Sequence, residues 1–114
     1  MIKIYGIKTC GSVRKAFDFM NSHDIAFEFV DFKTTKIDTP KIKEWISKSS
    51  IDVLLNTKGT KYKTLNLKEL NLNDNGKLEW LAKENMLFKR PVIEFGDKLI
   101  VGFDEKLYME IFAK

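Results

Sequence analysis

The chain has 114 residues, 44% of them hydrophobic, with a formal net charge of +4. That is enough for one compact core, so a single domain over residues 1–114 is expected, and no apolar run approaches the roughly 20 residues of a membrane span. The lysines are mixed with acids along the chain instead of forming a block, so direct binding of nucleic acid is not expected.

Ile2 to Tyr5 alternate apolar and polar, as a half-buried strand does. Val13, Ala16, Phe17 and Met20 then recur at helical spacing, and Cys10 falls in the loop between strand and helix. The aromatic and β-branched run Phe27 to Phe32 completes a β-α-β unit. Thr39-Pro40 reads as an N-cap followed by proline at the first helical position, with Ile42, Trp45 and Ile46 facing inward. Leu54 and Leu55, Leu67 and Leu70, and then Leu78, Leu81 and Ala82 after the turn signal Asn73-Asp74-Asn75-Gly76 extend this into an all-helical insertion over about residues 38–88.

Pro91 to Phe95 and Lys98 to Val101 are two strands joined by Gly96-Asp97, a hairpin signal. Asp104 can cap a last helix carrying Leu107, Tyr108, Ile111 and Phe112. The expected class is α/β: β-α-β, an all-helical insertion, then β-β-α on a mixed sheet.

The chemistry concentrates at Cys10. A sulfur just before a helix meets free backbone N–H groups and the positive end of the dipole, and Lys8, Arg14 and Lys15 add positive charge, which favours thiolate over thiol. With a single cysteine in the sequence no internal disulfide can form, which points to a reducing compartment. The first residues read as a strand and not as a signal sequence, so a cytoplasmic location is expected. Ser12 reads as a helix cap, since no base is placed by spacing to activate it. His23, the sole histidine, reads as a solvated helix-terminal residue, and no metal site is expected. Arg90 is one of two arginines among 20 basic residues, so a need for forked donors there competes evenly with an ordinary surface role. Gly59 and Gly102 read as turn glycines, and Asn56 to Thr60 offers polar groups for an anion without the pattern of a phosphate loop.

The stretches YGIKTCGSVRKA, LLNTKGTKYKTL, KRPVIEF and GFDEKLY resemble the arsenate reductase-like (ArsC) family, which includes the Spx regulators and YffB-like proteins, with the YffB-like branch closest. The resemblance implies a thioredoxin-like sheet with a helical insertion, a nucleophilic cysteine after the first strand (Cys10) and an arginine, Arg90, before a cis proline, Pro91, beside it. Gly11, Ser12, Arg14, Lys58 and Pro91 are the accompanying candidates for holding substrate or an anion. The implied function is a glutathione-linked thiol reductase with no bound cofactor. Its substrate would be glutathione, a small oxidised thiol or an oxyanion, and its external reductant glutathione or a redoxin such as glutaredoxin. The alternatives are a Spx-like module that docks on RNA polymerase, and an arsenate reductase. Where arsenate-reducing members carry two further arginines, this chain has Asn56, with Lys58 close by, and the Gly102-Phe103 region. Where Spx-like members carry a second cysteine, it has Val13.

Overall fold

The computed structural model describes residues 1–113. They form two compact units: residues 1–33 with 90–114, of which Lys114 is not described, and residues 34–89. The second is the helical insertion, somewhat wider than the expected 38–88.

In the first unit β1 (Ile2–Gly6) leads through a short turn into α1 (Gly11–Ser22) and then β2 (Phe27–Asp31). β3 (Val92–Phe95) and β4 (Lys98–Val101) form the expected hairpin, and α6 (Glu105–Phe112) is the last element among the described residues. The sheet order is β2-β1-β3-β4. β1 pairs parallel with β2 and antiparallel with β3, which pairs antiparallel with β4, so the sheet is mixed as expected. Gly96 at φ 61° supplies the left-handed residue that the hairpin turn needs. The alternation of β1 sends Ile2 and Ile4 to one face, where Ala16, Phe19 and Met20 of α1, Ile93, Ile100 and Tyr108 complete an apolar cluster. Each of the isoleucine, phenylalanine and methionine side chains in it contributes about 1.5–3 kcal/mol through burial. Asp104 caps α6 by accepting from the Leu107 N–H at 3.1 Å, as its place before that helix predicts.

The second unit holds α2 (Thr39–Lys48), α3 (Ile51–Leu54), α4 (Thr60–Thr64) and α5 (Asp74–Lys83), with 3-10 turns at Leu67–Leu70 and Asn85–Leu87. Trp45 and Phe88 meet edge to face at 5.3 Å in its interior. Two expectations are corrected here. Asp38, not Thr39, caps α2, its carboxylate accepting from Lys41 N–H at 3.3 Å; Pro40 then sits inside the first turn, where its missing N–H costs nothing. Asn73-Asp74-Asn75-Gly76 is a helix start: the Asn73 side chain caps α5 by accepting from Gly76 N–H at 2.8 Å.

Buried Asn85 accepts from Ile37 N–H at 2.7 Å and donates to Ile37 O at 3.1 Å and Leu81 O at 2.9 Å. One amide thereby fastens the entry of this unit to its end. No helix among the described residues is long and apolar enough to cross a membrane.

Candidate functional site

β1 ends at Gly6, and the close approach of α1 fixes what can stand there: a Cβ added to Gly6 would lie 2.6 Å from the Val13 side chain, which is fully buried. This contact sets the register at which the helix leaves the strand. The turn Ile7–Cys10 is closed by Cys10 N–H donating to Ile7 O at 3.3 Å, and the first helical bond runs from Arg14 N–H to Cys10 O at 3.1 Å. Cys10 is thus the N-cap residue of α1, with φ −80° and ψ 128° and no side-chain capping bond. Its half-buried side chain projects from the start of a 12-residue helix with no acid in its first turn. Ser12, expected as the cap, is instead the second helical residue.

Gly11, Ser12 and Arg14 follow directly, Gly11 and Arg14 exposed and Ser12 half-exposed. Nothing lies within 4 Å of the position a Gly11 Cβ would take, so the flank of the cysteine is open. The antiparallel register pairs Tyr5 with Val92, which brings Arg90 and Pro91 to the same end of the sheet as Gly6 and the Ile7–Cys10 turn. The Arg90–Pro91 bond is cis. Pro91 is buried; Arg90 is half-buried, with its Nε shielded from solvent. The Tyr5 hydroxyl donates to Glu94 across the β1–β3 pair at 2.8 Å.

Lys58 belongs to the second unit. It is exposed in the Asn56–Gly59 turn, where the Asn56 side chain accepts its N–H at 3.2 Å. A Gly59 Cβ would meet the Asn56 amide at 2.8 Å, so this glycine serves a close contact more than a turn angle. His23 closes α1 in an exposed position, its ring stacked on Phe19 at 4.2 Å and its Nδ1 2.9 Å from Phe19 O. Among the described residues no group of three or more His, Cys, Asp or Glu side chains could hold a metal.

Two residues that sequence reasoning did not connect to Pro91 stand behind it. Gly102, at φ 86°, donates its N–H to Pro91 O at 2.7 Å, and the Tyr108 hydroxyl donates to Gly102 O at 2.6 Å. Gly102 stood out as a glycine and Tyr108 as a core aromatic, but nothing in their spacing joins them to residue 91.

Residues 5–111 match the ArsC family model. The YusI protein of Bacillus subtilis is 33% identical, with 98% of each chain covered. A global transcriptional regulator Spx of Lactiplantibacillus plantarum is 26% identical over 92% of this chain and 81% of its own. An arsenate reductase of Neisseria meningitidis is 29% identical over 89% of each. Among solved structures, a Staphylococcus aureus protein covers both chains fully at 36% identity and TM-score 0.84. The YffB protein superposes at TM-score 0.89 and 29% identity, covering 96% of this chain and 97% of its own. At the level of fold alone, a glutaredoxin of Archaeoglobus fulgidus aligns over 99% of this chain and 86% of its own, at TM-score 0.50 and 16% identity. A mixed four-stranded sheet of thioredoxin-like type, a cysteine at the start of α1 and a family match over nearly the whole length lead to one conclusion: the chain belongs to the ArsC family.

Proposed function

We propose that this protein is a thiol-dependent reductase in which Cys10 is the nucleophile, Arg90 the partner for negative charge and glutathione, or a glutaredoxin-type protein, the external reductant. The observation that carries this reading is the position of Cys10: the N-cap of a 12-residue helix, with no side-chain capping bond and open space beside Gly11. First-turn N–H groups that have no carbonyl partner stabilise an anion placed there, and a thiolate is that anion. Arg90, with its planar fork of donors, stands at the same end of the sheet and suits a carboxylate or an oxyanion better than a lysine would.

The chemistry balances with one cysteine. The Cys10 thiolate attacks a sulfur of an oxidised disulfide; the S–S bond breaks, one half leaves as thiolate and the other stays joined to Cys10. A thiolate of the external reductant then attacks this mixed disulfide and frees Cys10. The net result is that one external thiol is consumed: one half of the substrate disulfide leaves as a thiol and the other leaves joined to the reductant as a new disulfide, which is oxidised glutathione where both are glutathione. Gly11, Ser12 and Arg14, which follow Cys10 in the chain, are the accompanying candidates for holding substrate, and Lys58 is a separate candidate for binding an oxyanion. Location in the cytoplasm, where glutathione is held reduced, fits this scheme.

A second reading has a specific observation in its favour: the likeness to proteins named global transcriptional regulator, over 92% of this chain. In that reading the fold is a docking module for a component of the transcription machinery such as RNA polymerase, and Cys10 is at most a sensor. A glutathione-coupled turnover assay on the purified chain separates the two. Turnover that is abolished in Cys10→Ser supports the reductase. No turnover, together with a stable complex with RNA polymerase subunits, replaces it with the module.

A further inference from the structure

We propose that Tyr108 is a positioning residue for the Arg90–Pro91 segment: through Gly102 it fixes the carbonyl of Pro91, and with it the backbone from which the Arg90 side chain reaches an anionic substrate. The proposal rests on the reading of Cys10 and Arg90 given above. Proline lacks an N–H, so its carbonyl is the one backbone group by which residue 91 can be hydrogen-bonded. That carbonyl accepts from Gly102 N–H at 2.7 Å. Gly102 is buried, so its own carbonyl also needs a partner inside the protein. The Tyr108 hydroxyl supplies it at 2.6 Å.

The hydroxyl is held in place from every side. The Tyr108 ring is fully buried and meets Phe19, Phe103 and Phe112 edge to face at 5.5, 5.0 and 5.4 Å. Its backbone N–H donates to the carbonyl of Asp104, the residue that caps α6, at 2.9 Å. A ring among three phenylalanines needs no hydroxyl for packing, and a phenol O–H taken into an apolar cluster is retained only where it has an acceptor. Burial also raises the pKa of this tyrosine, so it remains a donor at every ordinary pH. Without the hydroxyl, Gly102 O loses its donor, the Gly102–Asp104 loop turns to find another, and the neighbouring N–H leaves Pro91 O. The displacement falls on Arg90, one residue away, and less on Cys10, which is held by Ile7 and Arg14.

The test compares rates of Cys10 mixed-disulfide formation, followed by intact-mass spectrometry, with two probes: anionic oxidised glutathione and neutral 2-hydroxyethyl disulfide. The ratio of the two rates reads anion preference and cancels the intrinsic reactivity of the thiol. Tyr108→Phe is expected to lower that ratio roughly tenfold, within the hundredfold that a misplacement of about an ångström can cost. Phe112→Leu loosens the same aromatic cluster without removing the hydroxyl, and is expected to leave the ratio unchanged. A Tyr108→Phe ratio within about twofold of the native one, while Arg90→Gln lowers it, overturns the positioning role. A ratio that Arg90→Gln does not alter refutes the Arg90 reading itself, and the proposal falls with it. Should Tyr108→Phe fail to fold, amide hydrogen exchange of the native chain decides. A protected Gly102 amide supports the relay; exchange as fast as at exposed Asp97 overturns it.

Discussion

Replacing Cys10 by serine should abolish mixed-disulfide formation and at the same time stabilise the protein. Cys10 occupies the N-cap with φ −80° and ψ 128°, the extended conformation that a capping residue adopts, yet its side chain makes no capping bond. A serine oxygen at that position can accept from the N–H of Ser12 or Val13, and a cap of this kind contributes about 1 kcal/mol. Loss of the half-buried sulfur offsets a few tenths, which leaves a net gain of about 0.5–1 kcal/mol. For a chain of this size that corresponds to a rise in Tm of roughly 2–5 °C. Aspartate, which adds favourable charge at the helix N-terminus worth about 0.3–1 kcal/mol, should do at least as well, and alanine should do worst. Thermal and urea unfolding under reducing conditions measures the series. Serine and alanine variants of equal stability would refute the placement of residue 10 at the cap. Gains from serine and aspartate combined with loss of reactivity would mark a site where function is kept at the expense of stability.

Three further outcomes follow from particular contacts. Gly6→Ala drives a methyl to 2.6 Å from buried Val13 and should cost about 1–3 kcal/mol in urea unfolding; a neutral effect would mean that α1 is free to lift from β1. Asn85→Leu strands the buried N–H of Ile37 along with two carbonyls and should cost about 2–4 kcal/mol, whereas a loss below about 1 kcal/mol would remove Asn85 as the clamp of the second unit. Tyr108, whose pKa is raised first by burial and then by Asp104, holds its proton in the folded chain to a higher pH than in the unfolded one. Its contribution is therefore complete below a pH of about 10 and declines as pH rises beyond that, so Tyr108→Phe should flatten the alkaline fall in stability; identical slopes in both proteins would contradict the burial of the phenol.

Much of the architecture can be read from local pattern. The alternation of Ile2 to Tyr5, the helical spacing of Val13, Ala16 and Met20, the Gly96-Asp97 turn and the Asp104 cap all match the observed elements, because each depends on neighbours within a few residues. Cap identities were less legible. Between Cys10 and Ser12 the chain uses the poorer capping side chain, since the packing of Val13 over Gly6 fixes where the helix starts. At α2 two capping residues stand side by side, and aspartate takes the cap while proline moves into the turn. The Asn85 clamp and the Tyr108–Gly102–Pro91 relay were not legible. Both are side chain to backbone bonds that only the tertiary fold creates, across 48 residues in the first case, and neither leaves a periodicity.

The role assigned to Cys10 and Arg90 meets its most direct test in the formation of a glutathione adduct. The native chain, Arg90→Lys and Lys98→Ala, the last exposed at the opposite end of the sheet, are each exposed to oxidised glutathione and followed by intact-mass spectrometry. One glutathionyl group should accumulate on the native chain, because no second cysteine can release it, and Arg90→Lys should slow its formation while Lys98→Ala leaves the rate unchanged. Equal rates in all three proteins, or no adduct on the native chain, would contradict the assignment.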